Sequence, residues 1–335
     1  MTFTVPVLNL RSGLRRAFAT NAPLALASSV LALAFLGTLV GMVIDHRVIT
    51  GMPAWVKPAK FMLSSAIYTF TLVWMLGFVR GHRRLVAASA WITVVAIIIE
   101  DALIALQAAR GTTSHFNFST PLNTAIFSVM GAMTVGLWSG CFLVGVALLL
   151  QKLPDPAIAW SLRLGVLLAL VGMSIAFFMV TPTATQLTAA QAGQGLPIIG
   201  AHTVGRADGG PGLPFLGWST VAGDLRIAHF IGLHGLQVLP LIAFAVTRRL
   251  RRWHTGGQVA LVVIAGLAYG GFDLLLAWQA LRGQSVVHPD ARTLIVAAGL
   301  VTMTILAVAA VALRERAMAT RTHAAVMHHT PVTAR

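Results

Sequence analysis

Long apolar runs separated by short polar segments dominate the chain. Eight runs approach or exceed the length of about 20 residues that a helix needs to cross a bilayer core about 30 Å thick. They cover residues 24–44, 61–79, 85–109, 125–150, 162–180, 227–246, 259–281 and 294–313. The first run is longer than the apolar core of a signal peptide, so we interpret it as a retained span. The pattern predicts an all-α integral membrane protein with eight transmembrane helices.

Composition supports this class and excludes others. Of the 335 residues, 57% are hydrophobic and only 10% are charged, against about 25% charged in a soluble domain. The net charge of +15 does not come from a basic stripe with interleaved aromatics, so we expect a lipid bilayer and no nucleic acid as partner. The single cysteine, Cys141, rules out an internal disulfide and a cysteine-based metal site.

The distribution of basic residues predicts an orientation. With eight spans both termini share a side, and that side carries 16 of the 24 Lys and Arg residues. By the positive-inside rule we expect both termini to be cytoplasmic, in a multi-pass protein of the cell inner membrane. Most acids and six of the 11 histidines fall in or near the opposite, outer loops. Ionisable groups at membrane depth mark candidate functional sites, so we look for the function there.

An internal duplication divides the chain into two similar halves. Residues 101–111 read DALIALQAARG and residues 273–283 read DLLLAWQALRG, with seven identities in 11 positions at an offset of 172. Span two aligns with span six and span four with span eight at nearly the same offset. We therefore predict two tandem four-helix bundles. Because four is even, they form a parallel repeat about an axis along the membrane normal.

This division sets the expected domain boundaries. We place a cytoplasmic segment at 1–21, the first repeat at 22–153 and the second repeat at 154–313, with a disordered cytoplasmic tail at 314–335. The second repeat includes a long outer loop, 181–224, rich in Gly and Pro. A loop of this length is usually functional or disordered. We expect it to form a lid over the mouth of the second bundle.

Span six carries the strongest candidate site. At 100° per residue, Arg226, His229, His234 and Gln237 fall within one arc of about 140°. That arc must face protein or a cavity, since lipid would leave these groups unsatisfied. Neutral imidazoles bind haem iron or a divalent metal, so His229 and His234 are candidate metal ligands, with Arg226 and Gln237 orienting a polar group. The histidine spacing is not that of a common metal-binding helix, and a polar helix–helix contact would explain the same pattern.

Further candidates lie outside span six. Glu100 and Asp273 lie in the outward halves of spans three and seven and could transfer protons, although Asp273 has a counterpart in Asp101 and could equally stabilise its own bundle. The remaining candidates lie near the outer ends of spans or in outer loops: His288 as a cofactor ligand, and Lys60, Arg110, His115 and His202 as substrate or anion contacts. For Lys57 we favour an ammonium group that extends to the lipid headgroups.

Three functions fit these observations. The first is a membrane-embedded oxidoreductase that binds haem or a divalent metal, with a quinone or another polar molecule as substrate. The layout is similar in outline to haem A synthase and other haem-carrying membrane bundles, without a shared motif that would transfer residues. The second is a transporter or channel for a small polar solute, with a cavity between the repeats. The third is a non-catalytic assembly or sensor subunit.

Overall fold

The computed structural model describes the backbone of residues 10–328 and the side chains of residues 11–321. Residues 1–9 and 329–335, which belong to the two predicted cytoplasmic segments, lie outside the described part. Within it the fold is helical, and eight helices are long and apolar enough to cross a membrane. They are α2 (Ala22–Ile44), α3 (Val56–Leu76), α4 (Arg83–Ala109), α5 (Pro121–Leu150), α6 (Pro156–Met179), α8 (Leu225–Arg249), α9 (Thr255–Leu281) and α10 (Ala291–His328).

All eight predicted spans are therefore helices, and their ends differ from the apolar runs for local reasons. Several helices begin a few residues early, because a polar side chain and a proline form the first turn. The Thr120 side chain accepts a hydrogen bond from the Asn123 amide before Pro121, and Asp155 caps α6 before Pro156. The last helix continues to His328, beyond residue 314, where the sequence predicts a disordered tail.

The remaining elements are short. Helix α1 (Leu10–Thr20) precedes the first span, and α7 (Ala184–Gln191) lies in the long loop. Two antiparallel strand pairs join β1 (Val48–Ile49) to β2 (Met52–Pro53) and β3 (Thr203–Val204) to β4 (Gly223–Asp224). The second pair joins the middle of the long loop to the residues immediately before α8.

The predicted outer loops meet at one end of the molecule, which we call the loop end (residues 45–55, 110–120, 180–224 and 282–290). The Arg47 guanidinium donates to the Ala109 carbonyl at 3.1 Å, and the Phe118 amide donates to the Pro197 carbonyl at 2.8 Å. The Ser285 hydroxyl donates to the Ser219 carbonyl at 3.2 Å. The long loop therefore contacts both halves of the chain, not the second alone.

Helices of the two halves share one apolar core. The largest buried cluster contains Leu72 and Met75 of the first half together with Val166 and Leu236 of the second. The most extensive helix pair is α6 with α8, which approach closely through glycines. A Cβ atom on Gly232 would lie 2.5 Å from the Gly172 Cα, so neither position has room for a side chain. Such close approach through small residues is typical of membrane helices.

The two copies of the repeated motif have similar local geometry. In each, the glutamine amide donates to the carbonyl six residues later, Gln107 to Thr113 at 3.3 Å and Gln279 to Ser285 at 2.9 Å. The glycine that ends each motif has a positive φ, 73° at position 111 and 71° at position 283. This similarity fits the predicted duplication, which remains a prediction for the halves as wholes.

Candidate functional site: a cavity between the two halves

A cavity of about 1470 Å³ lies between the two halves beneath the long loop. Its walls combine α3, α4 and α5 of the first half with α6 and α8 of the second, and segments of the loop end cover it. The leading sequence hypothesis places the ligand site in the outer half of the second bundle, and the transporter alternative places a cavity between the repeats. Both remain open from the sequence because helix periodicity shows which face is polar but not which helix that face meets. Both halves contribute ionisable groups.

Eight of the 11 candidate residues line this cavity: Lys60, Glu100, His115, His202, Arg226, His229, His234 and Gln237. Three do not. Asp273 is fully buried against Gly232 of α8, and Arg110 donates to Gln107 and Asn123 at the end of α4. His288 is exposed in the loop before α10.

The His229 ring is held by the close packing of α6 and α8. Its Nδ1 lies 2.7 Å from the Gly172 carbonyl oxygen. A carbonyl can only accept, so Nδ1 carries the proton and, in the neutral ring, Nε2 keeps its lone pair. Gly172 is missing from the sequence prediction because the bond joins residues 57 positions apart. The glycines spaced along α6 and α8 are the signal that could have suggested it.

The His202 ring is fixed in a similar way by the long loop. Its Nδ1 lies 2.5 Å from Asp208 Oδ2, and Asp208 also accepts from the amides of His202 and Thr203 and from the Thr203 hydroxyl. Burial alone would raise the pKa of the Asp208 carboxyl, but these hydrogen bonds hold it well below its usual range. With an ionised Asp208, the neutral ring of His202 is protonated at Nδ1 and leaves Nε2 available.

A third imidazole connects two ionisable groups of the first half. Lys57 Nζ lies 3.1 Å from His115 Nδ1, and His115 Nε2 lies 3.7 Å from Glu100 Oε1. Burial lowers the pKa of His115 well below its usual value, and the Lys57 charge lowers it further. Neutral His115 therefore accepts from the Lys57 ammonium through Nδ1. Lys57 faces the cavity, in contrast to the headgroup position expected from the sequence.

The cations contact the long loop. Arg226 makes two hydrogen bonds to Asp224, at 2.9 and 2.6 Å, and a third to the Gly217 carbonyl at 2.6 Å. Lys60 Nζ donates to the Leu216 carbonyl at 2.9 Å. Residues of both halves thus hold the same turn of the loop over the cavity.

Deeper in the cavity the halves meet through an amide. Gln237 Nε2 donates to Thr71 Oγ1 at 3.0 Å, while Gln237 Oε1 is buried without a hydrogen-bond partner. Glu100 Oε2 is likewise buried and unpartnered. Buried polar atoms of this kind are costly without a partner, so a ligand that supplies donors would fit here.

The described residues contain no group of three or more His, Cys, Asp or Glu side chains able to hold a metal ion. An iron ion that brings its own equatorial ligands needs only one or two imidazoles from the protein. Comparison with known proteins finds no matching family model, no similar curated protein and no similar solved structure. The geometry thus carries the functional argument alone.

Proposed function

We propose that this polytopic membrane protein binds haem in the cavity and acts as a membrane oxidoreductase. One observation carries the proposal: His202 and His229 line the same cavity, and an acceptor holds Nδ1 of each ring while leaving Nε2 for a ligand. Haem- and metal-ligating histidines are oriented in this way by a carboxylate or a carbonyl. Of the two histidines first expected as ligands, His229 keeps that role, and His234 serves as a polar wall residue.

The other residues have roles that follow from their positions. Glu100, whose Oε1 lies near His115 and whose Oε2 has no partner, is the group that would exchange protons with a bound molecule. Gln237, whose Oε1 has no donor, would orient a polar substituent that donates a hydrogen bond, such as the hydroxyl of a reduced quinone. The inner membrane and cytoplasmic termini belong to the same proposal, supported by the basic residues of the inner loops.

An absorption spectrum of the purified protein tests haem binding. We expect a Soret band, either as isolated or after addition of hemin, that shifts or weakens in His229→Ala and in His202→Ala. The control is His288→Ala, which removes an exposed imidazole outside the cavity. The proposal would be contradicted if no Soret band appeared with or without added hemin. An unchanged band in the His202→Ala/His229→Ala double variant would contradict it as well. Stoichiometric metal without a Soret band would contradict it too.

The cavity between the halves also favours a second candidate, a transporter for a small polar solute. In that case Glu100, His229 and His234 would bind or couple the solute, and the long loop would close the outer side. Proteoliposomes would then take up solute in a manner that depends on His229, while the purified protein would show no Soret band.

A further inference from the structure

Four cations line the loop end of the cavity, and one of them, Arg206, is an exposed residue of the long loop. Of the other three, Lys57 and Lys60 lie on the first turns of α3, and Arg226 lies on the first turn of α8, so one comes from the second half and two from the first. Lys57 and Lys60 are three residues apart on one face of α3. Lys60 and Arg226 donate to the carbonyls of the adjacent residues Leu216 and Gly217, so these cations lie beside the same turn of the loop.

The two lysines retain unused donors. An ammonium group has three N–H donors. Lys57 uses one toward His115 Nδ1, and Lys60 uses one toward the Leu216 carbonyl. Among the described residues, neither Nζ has a carboxylate oxygen within the 4.0 Å of an ion pair. Each lysine therefore has two donors and a positive charge without a counter-ion.

Two of the nearby acids are already engaged, and two others, Glu100 and Asp101, line the cavity and form no ion pair with either lysine. Asp224 is fully buried and binds Arg226 and the Ser219 amide. Asp208 binds His202 and Thr203. Glu100 lies closest to His115, which separates it from Lys57. The space between the lysines therefore carries positive charge that no carboxylate pairs with, and an oxyanion would supply strong charge-assisted hydrogen bonds to it.

Below the cations the wall of the cavity is mainly apolar. Phe61, Phe127, Met173, Phe177 and Leu233 line it. We propose that the loop end of the cavity is an oxyanion site in which Lys57 and Lys60 bind the carboxylate or phosphate of an amphipathic ligand whose apolar body occupies the space below. Where the ligand is haem, this rests on the proposed function and the oxyanions are the propionates; an alkyl phosphate or a lipid phosphate offers the same chemistry.

The test compares ligands that differ only in the head group. The full-length protein in phosphatidylcholine nanodiscs is titrated with dodecyl phosphate and with dodecanol. We expect the phosphate to bind at least about tenfold more tightly, equivalent to about 1.4 kcal/mol, and to lose this preference in Lys57→Gln/Lys60→Gln. The chain contains one other lysine, Lys152, which is exposed in the loop before α6. Lys152→Gln is therefore the matched control and should keep the preference.

A second arm separates this inference from the haem proposal. Hemin should bind more weakly to the double glutamine variant, whereas hemin dimethyl ester, which lacks the charges, should bind wild type and variant alike. Lys57→Arg/Lys60→Arg keeps the charge, so its partial recovery distinguishes lost charge from misfolding. Tight dodecyl phosphate binding without a Soret band would refute haem and support the oxyanion site. Equal binding of phosphate and alcohol by the wild type would overturn the oxyanion site.

Discussion

The bond between Asp208 and His202 determines whether the long loop can present an imidazole to the cavity. Asp208 accepts from one ring nitrogen, two amides and a hydroxyl within a short stretch of chain. A carboxylate that accepts this many hydrogen bonds acts as the centre of a folded turn. The imidazole orientation and the loop conformation therefore depend on one side chain.

Substitution of Asp208 by Asn should loosen the loop and release the His202 ring. We expect a loss of about 1–3 kcal/mol in local stability, because bonds to a charged group are replaced by weaker ones. Hydrogen exchange should rise in residues 200–217, with no change for Asp290→Asn, whose carboxyl pairs with Arg282 outside the cavity. Unchanged exchange in Asp208→Asn would contradict this role.

The same carboxylate predicts a pH dependence. Its pKa is lower in the folded loop than the value near 3.9 of a free Asp. The stabilisation is therefore complete above that free value and is lost as the pH falls toward the folded pKa. Loop protection in the wild type should decline below about pH 4, whereas Asp208→Asn should show no such decline from this group.

At this scale the sequence predicts residue types better than partners. Periodicity identifies His229 as a polar residue that faces protein, because this inference uses only the residues of its own helix. Its acceptor, the Gly172 carbonyl, depends on how closely α6 approaches α8. Lys57 is interpreted from the sequence as a headgroup contact because its contact with His115 depends on the fold of a loop 58 residues away.

Among the elements, the α6–α8 pair controls the site. Ala at position 232 would place its Cβ 2.5 Å from the Gly172 Cα and 2.9 Å from the Gly172 nitrogen, which are backbone atoms that cannot rotate away. The helices must separate, and the His229 bond to Gly172 must lengthen. Overpacking of this kind typically costs about 1–3 kcal/mol.

Gly232→Ala should therefore lower the thermal midpoint of the protein in detergent and weaken ligand binding at His229. The matched control is Gly299→Ala in α10, where nothing lies within 4 Å of the added Cβ. The control should be neutral or slightly stabilising, since Ala favours a helix by up to about 1 kcal/mol over Gly. Equal midpoints for the two variants would refute the close approach of α6 and α8.

For the whole molecule, the sequence predicts the number of spans but leaves two locations open for the site, the second bundle or the space between the repeats. Span length and hydropathy are local properties, so all eight helices follow from the apolar runs. The packing of one half on the other depends on the shapes of many side chains, including the shared cluster around Leu72 and Leu236. The long loop, which the sequence predicts as a lid over the second bundle, contacts both halves instead.

Orientation in the membrane is the last property that the distribution of charge predicts. With 16 basic residues on the side of the termini, we expect the long loop to face outward and the first turn of α9 to face the cytoplasm. Gly195→Cys and Gly256→Cys report on these two sites, because both glycines are exposed with nothing within 4 Å of an added Cβ. The single native cysteine, Cys141, is buried and should not react with a maleimide.

In intact cells an impermeant maleimide should label the cysteine at position 195. It should label the cysteine at position 256 only after permeabilisation. The reverse pattern would invert the orientation and place the cavity on the cytoplasmic side.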